Sequence, residues 1–441
     1  MEKLLQQALK KVSQAEVYCL EEENLPVEFN NRQVSHIAGK RVKGYCLRVI
    51  DNQGRMGMAT SSKLDRQDLI ERAIISAKYG DKTEIEFPNQ EGSDVKGYDK
   101  KLAQMDADGL AKQGQEMLNI ITDIDSDIKC DLGLTKTIER VTILNSSGLN
   151  VSFDKTNFGV YVVSRADDGF MEHMDYDIYS NHFRFDRKRL ERFVRYHNLS
   201  KKQTQIKTGK MDIIFNSSAM WPLLYRVFAG VDGSKVNKGL SPLEDRLGEK
   251  VFDSKVNITD DPTYPWGLGT TPYDDEGSVA RKTPVIKDGV LKNYLFDLDS
   301  AKEYGAQSTG NGFKKMLFNK GLDQQPLTYA SNFVLHPGQS NLEKMIQSVD
   351  RGIIINRTMG GHTGNIPAGE FGLNIGSGFL IENGEIKCKV VDAMVSGNIY
   401  DLFKDVSMIG QQLHATRAVF YGFAYTPAIL VPNLVVAGSE D

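Results

Sequence analysis

Two dipeptides in the second half of the chain restrict its fold more than any other feature. Asp288-Gly289 lies between PVIK and VLKNYLF, and Asn383-Gly384 lies between GFLIE and EIKCKVV. A two-residue type I′ hairpin turn needs positive φ at both central residues, which Asn or Asp followed by Gly supplies at least strain. Each dipeptide therefore predicts a hairpin. Few helical patterns surround them and glycine is frequent, so this half is expected to be mainly antiparallel β.

The first half mixes two periodicities. Leu5, Ala8, Leu9 and Val12 share one face of a helix over residues 1–13. Val27 and Phe29 precede a turn at Asn30-Asn31, and Tyr45, Leu47 and Val49 share a strand face before the loop Asp51-Asn52-Gln53-Gly54 and a returning strand over 55–59. Asp65 is read as the N-cap of a helix that turns Leu69, Ile70, Ala73, Ile74 and Ala77 inward. Another helix starts near Asp106 and uses Leu110, Met117, Leu118 and Ile121. Strands follow over 138–144, 149–153 and 158–163, then a basic amphipathic helix over 186–202 with Leu190, Phe193, Val194 and His197 as its apolar stripe. The polar run KKQTQIKTGK marks a boundary near 204–209, giving two domains, 1–205 and 206–441. The expected class is α+β: a mixed α/β N-terminal domain with a long β-hairpin and helices, then a β-rich C-terminal domain.

Composition enters as a set of exclusions. With 40% hydrophobic and 25% charged residues, 441 residues supply ample core without a disulfide or metal staple. A net charge of -4 speaks against a dedicated nucleic-acid binder, which needs a basic excess to neutralise phosphates. Cys19, Cys46, Cys130 and Cys388 form no CxxC pair. MEKLLQQALKKVSQ has no signal-peptide core. No apolar run approaches the ~20 residues of a bilayer span. The cytoplasm is the expected location, without membrane association.

No complete catalytic motif is present. His36, His173, His182, His197, His336, His362 and His414 include no pair three to five apart, so no helix aims two imidazoles at one ion. A nucleophile elbow and a phosphate-binding glycine loop are also missing. The stretch GLNIGSG over 372–378 is better read as a strand with close backbone approach. Asp274, Asp275, Glu276 and Gly277 form the densest acidic feature. Paired carboxylates can do acid–base work or bind a hard cation, but consecutive strand residues point to opposite faces. The expected role is an acidic turn paired locally with Arg281 and Lys282. Arg184, Arg187, Lys188, Arg189, Arg192 and Arg195 line the basic helix, and without interleaved aromatics they read as a solvated face.

Longer segments carry a resemblance. GYCLRVIDNQGRMGMATSSKLDRQDLIERAIISA, LGEKVFDSKVNITDDP, GLGTTPYDDEGSVARKTPVIKDGVLKNYLFDLDSAKEYGAQSTGN, SNFVLHPG, GEFGLNIGSGFLIENGEI and VSGNIYDL occur in this order. Together they resemble the TldD/PmbA family, once called modulators of DNA gyrase, nearly end to end. The resemblance implies a barrel-like C-terminal domain and a heteromeric peptidase that encloses extended or unfolded peptide. It also implies two kinds of subunit. The TldD type has a zinc-binding HExxxH helix and a C-terminal cysteine ligand; the PmbA type, also called TldE, lacks both.

This sequence sides with the second type. In SSAMWPLLYRVFAG the two histidine positions fall on Tyr225 and Gly230 and the glutamate position on Arg226, and the C-terminal cysteine position falls in AVFYGFAYTP, which has no cysteine. A guanidinium where a general base and a dication would sit disfavours metal further. The expectations are therefore no catalytic residue and no metal or cofactor in this chain, zinc in a TldD-type partner subunit, and a peptide or unfolded polypeptide as substrate. A homodimer is compatible, because a surface that pairs with a paralogue can pair with itself. Candidate peptide-channel residues are Asp274, Asp275, Glu276 and Gly277, with Gly369, Gly372, Gly376 and Gly378 as a wall to which another backbone could come close. Two alternatives remain: a stand-alone hydrolase built on Asp275, Glu276 and His362, or a peptide-binding regulatory protein without catalysis.

Overall fold

The computed structural model describes residues 1–64, 68–165, 171–179, 187–314, 321–418 and 422–439. Asp65, Arg184 and residues 419–421 of the C-terminal cysteine position lie outside these. Seven strands form one antiparallel sheet: β1 (Gln14–Asn30), β2 (Gln33–Ile37), β3 (Lys40–Ile50), β4 (Met56–Ser61), β5 (Lys129–Asn145), β6 (Asn150–Arg165) and β7 (Met171–Tyr179). Their order is β4-β3-β1-β5-β6-β7, with β2 added to β1. The β1–β2 turn centres on Asn31 and Arg32, at φ +45° and +71°, one residue beyond the Asn30-Asn31 pair expected.

The three strands expected between 138 and 163 are two long ones. The β5–β6 register runs unbroken from Lys129 opposite Arg165 to Leu144 opposite Asn150. Polar residues along it interrupt the hydrophobic alternation but not the ladder, because the backbone finds partners whatever the side chains are.

Five helices pack on or beside this sheet: α1 (Glu2–Leu9), α2 (Leu69–Ala77), α3 (Lys100–Gln104), α4 (Ala107–Ile124) and α5 (Arg187–Ser200). α1 is shorter than its apolar pattern. It buries Leu4 and Ala8 and leaves Leu9 exposed, with Val12 buried beyond its end. α4 follows the sequence closely. The Asp106 carboxylate caps it by accepting the Gly109 N–H, and Leu110, Met117, Leu118 and Ile121 turn inward. Each such side chain contributes roughly 1.5–3 kcal/mol on burial. α5 buries Leu190, Phe193, Val194 and His197, as the stripe predicts.

The second half contains a closed barrel. Gly209–Phe215 pairs with Arg351–Met359 and Ile429–Ala437; Met394–Asn398 joins Ile429–Ala437 to Glu370–Glu382; and Glu370–Glu382 returns to Arg351–Met359. Closure leaves this five-stranded cycle without an edge. One pairing, Gly209–Phe215 with Arg351–Met359, is parallel and needs a crossover. The crossover holds most of a six-stranded sheet and the helix α6 (Trp221–Val231). Both Asx-Gly turns form, with φ of +53° and +75° at Asp288 and Gly289 and +52° and +73° at Asn383 and Gly384. The molecule is thus α+β, with a barrel in its β-rich half. Among the described residues no helix is long and apolar enough to cross a membrane.

Candidate functional site

α6 is apolar nearly all round, so it is a buried helix rather than a surface one. Every residue from Pro222 to Val231 except Tyr225 is buried, Arg226 included. Arg226 has 0% exposure and forms no ion pair among the described residues. Its guanidinium donates to four carbonyl oxygens instead: Nε to Glu370 at 2.5 Å, Nη1 to Pro222 at 2.8 Å and Gly361 at 3.1 Å, and Nη2 to Thr363 at 2.8 Å. Four of its five N–H donors are used. Burial without a carboxylate pushes its pKa down to about 10, with Tyr225 opposing the fall.

Arg226 thereby staples residues 361–370 onto α6. Tyr400 reinforces the staple. Its hydroxyl donates to Pro367 O at 3.3 Å, and its ring lies 2.5 Å from where a Cβ on Gly369 would be. Gly369 has φ +81°, so this position needs glycine twice over. Gly230 is tight for a related reason, since a Cβ there would sit 2.4 Å from the Tyr400 hydroxyl. Tyr225 is half-buried, and burial raises its phenol pKa.

These three positions do not fit zinc. Gly230 offers no side chain, Arg226 is a cation spent on carbonyls, and Tyr225 alone is no metal site. Among the described residues no three His, Cys, Asp or Glu side chains are grouped to hold a metal ion.

The glycine-rich segment is a barrel stave. Residues 370–374 pair with Met394–Asn398, and residues 374–382 pair with Arg351–Met359. Most of its backbone is therefore taken by neighbours, which leaves little for strand addition by a peptide. Gly372 is exposed and Gly376 half-buried, both with room for a Cβ, whereas Gly369 and Gly378 are buried close contacts.

The acidic turn is closed to solvent in this chain. Asp274, Asp275 and Glu276 are 0%, 3% and 1% exposed. Their expected partners lie elsewhere: Arg281 donates to Ser308 O and Lys282 pairs with Asp261. The Asp274 carboxylate accepts N–H groups of Glu276, Ser278 and Gly312, which fixes a tight turn with Gly277 at φ +77°. Asp275 accepts from the Tyr18 hydroxyl at 2.8 Å and from the Lys314 N–H at 2.9 Å. Glu276 pairs with Arg48 Nη1 at 2.9 Å and accepts the Leu298 N–H at 2.7 Å.

Arg48 also reaches Glu16, 3.2 Å away, and lies over the Phe87 ring. The turn therefore locks the first sheet to the second half of the chain. Two carboxylates face one guanidinium here, and burial disfavours their charge. Burial raises the Glu276 pKa to about 7 against the pull of Arg48, and raises Glu16 as well. Glu16, Tyr18, Arg48 and Lys314 escape motif reasoning. A signal existed for two of them: Glu16 in AEVYCL and Arg48 in CLRVI are lone charges inside apolar strands.

His362 sits apart from this lock, on the exposed loop that Arg226 anchors. The hydrolase triplet of Asp275, Glu276 and His362 thus has two internal members and one on the surface.

Comparison with known proteins bears on what such an arrangement belongs to. Residues 208–438, more than half of the chain, match the family model of the PmbA/TldA metallopeptidase C-terminal domain, and residues 15–77 match domain 1 of the same family. The chain belongs to the PmbA/TldD family. An uncharacterised protein of Methanocaldococcus jannaschii is 27% identical over 409 residues, 92% of this chain and 93% of that one. A metalloprotease of Archaeoglobus fulgidus is 33% identical over 207 residues, 47% of this chain and 46% of its own length. Metalloprotease PmbA of Escherichia coli O157:H7 is 25% identical over 234 residues, 53% of this chain and 47% of its own. In fold, TldE from Thermococcus kodakarensis superposes with a TM-score of 0.89 at 24% identity, covering 99% of this chain and 100% of that one.

Proposed function

We propose that this PmbA/TldD-family chain is the non-zinc subunit of a two-component metallopeptidase. It completes an enclosure for extended or unfolded peptide, and a TldD-type subunit supplies the zinc. The observation that carries this reading is Arg226. At the place where the resemblance puts a general base, the chain has a buried cation whose donors are spent on carbonyls of α6 itself and of the loop over 361–370. Such a residue is suited to hold shape and is unsuited to activate water. The likeness to TldE in fold and the match to the family's C-terminal domain support the same assignment.

Within this reading the acidic turn contributes indirectly, by fixing the first sheet against the β-rich half. Gly372 and Gly376 remain the wall residues with free space above them. The same face that meets the partner subunit would form a homodimer when the partner is absent.

The test uses the purified full chain, alone and mixed with the TldD-type subunit of the same cell. Alone it is expected to contain no stoichiometric zinc by elemental analysis and to leave unfolded casein intact. Mixed, it is expected to co-elute with the zinc subunit and raise its peptidase rate. Zinc at one per chain, or chelator-sensitive cleavage by the isolated protein, overturns the proposal.

A further inference from the structure

A cavity of about 100 Å³ lies between α5, residues 216–218 just before α6, and the segments 341–343 and 410–414. Its polar lining includes Arg189 and Arg192 from α5, Asn216 just after the strand Gly209–Phe215, Ser218, Asn356 on the strand Arg351–Met359, and His414. Phe193, Tyr196 and Ala428 supply an apolar side.

The hydrogen bonds in this wall leave donors over. Asn216 Oδ1 accepts the Ser217 N–H, so its amide nitrogen is the group that donates to Asn356 Oδ1 at 3.0 Å. That leaves the Asn356 Nδ2 protons without a partner among the described residues. Ser218 Oγ donates to Asn356 O at 2.7 Å. Arg189 Nη1 lies 3.2 Å from His414 Nδ1, and a guanidinium can only donate. His414 Nδ1 is therefore the acceptor, and the ring carries its proton on Nε2, again without a described partner. Arg192 makes no hydrogen bond or ion pair among the described residues. Burial, with Arg189 and Arg192 adding to it, lowers the His414 pKa to about 3, so the imidazole is a neutral donor at pH 7.

We propose that this cavity is an oxyanion-binding site, taking a carboxylate or a phosphate between Arg192, His414 Nε2 and Asn356 Nδ2. Two guanidiniums and two neutral donors face the same volume, while its one carboxylate, Glu343, is exposed. Charge-assisted bonds from arginine are the strong ones for such ligands. The volume has room for several water-sized groups, each needing roughly 10–15 Å³ of such space. The apolar side suits a carboxylate that carries a short side chain, as at a peptide end, but inorganic phosphate shares the same recognition chemistry.

Calorimetric titration of the full chain separates these sources. N-acetyl-leucine, N-acetyl-leucinamide, inorganic phosphate and sodium chloride are matched for ionic strength. Saturable binding of N-acetyl-leucine but not of its amide identifies a carboxylate site, and saturable binding of phosphate alone identifies a phosphate site. Arg192→Gln is expected to weaken either roughly 10-fold to 100-fold, the worth of a charged hydrogen bond. Because Arg192 has no hydrogen-bond or ion-pair partner among the described residues, the variant's melting temperature without ligand should match the parent, which shows that it folds. Arg192→Lys should bind with intermediate strength. No saturable heat with any oxyanion, equal heat with chloride, or undiminished binding by Arg192→Gln each overturns the proposal. None of these outcomes depends on a zinc subunit.

Discussion

Among the described residues two arginines are completely buried, and the resulting problem is solved in opposite ways. Arg48, on β3, is matched with carboxylates, and there is one too many of them: Glu16 and Glu276 flank a single guanidinium. Burial, helped by the nearby Asp297 carboxylate, raises the Glu276 pKa to about 7 against the pull of Arg48. Arg226, on α6, has no carboxylate at all and is held by the dipoles of four carbonyls. The first site is a lock between distant segments and responds to pH. The second also joins distant segments, α6 to the loop over 361–370, but has no carboxylate partner to titrate. A buried charge can thus be stabilised by countercharge or by oriented backbone, and the choice decides which condition weakens it.

Breaking the lock should have the largest effect. Arg48→Met leaves Glu276 buried without its ion-pair partner and Glu16 with only the Lys314 ammonium nearby, and the expected loss is about 3–5 kcal/mol in chemical denaturation. Adding Glu276→Leu should recover part of that loss, because it removes a charge the first substitution orphaned. A loss below that at Arg226 would collapse the contrast between the two sites.

The pH response comes next. Folding raises the Glu276 pKa from 4.5 to about 7, so the folded chain holds this proton more tightly than the unfolded one. Its contribution to stability is full below the unfolded value and is lost as pH rises through about 7. The gap corresponds to about 3 kcal/mol. Stability measured between pH 5 and 8 should fall with that sign in the parent. Glu276→Gln should flatten the slope, and an unchanged slope in this variant would assign the response elsewhere.

The smallest effect is expected at the staple. Arg226→Lys keeps the charge but cannot serve four carbonyls from one ammonium, so about 2 kcal/mol should be lost. The pH slope between 5 and 8 should match the parent. A steeper slope would mean that the two arginines are coupled.

The two sites were also unequally legible. Arg226 stands at a recognisable place in SSAMWPLLYRVFAG, so its position could be singled out from the sequence. Its carbonyl partners could not, because every residue has a carbonyl and none is marked by its side chain. Asp274, Asp275 and Glu276 were noticed as a cluster but assigned to neighbours a few residues away. Asp275 and Glu276 instead meet Tyr18 and Arg48, 257 and 228 positions away, while Asp274 accepts backbone N–H groups of its own turn and of Gly312. Periodicity carries no information on contacts of that range.

What the sequence determined by itself was local. The φ > 0 turns at Asp288-Gly289 and Asn383-Gly384, the Asp106 cap and the apolar faces of α4 and α5 follow from steric and hydrophobic rules within a few residues. The residue types at Tyr225, Arg226 and Gly230 were equally plain, since a side chain's chemistry does not depend on the fold. Tertiary structure decided the rest: the closure of five strands into a barrel, the use of an acidic turn as an internal lock, and the gathering of Arg192, Asn356 and His414 around one cavity. These depend on which distant segments meet. That is settled by the packing of whole sheets, where the geometry of the complete chain selects among many pairings that are locally equivalent.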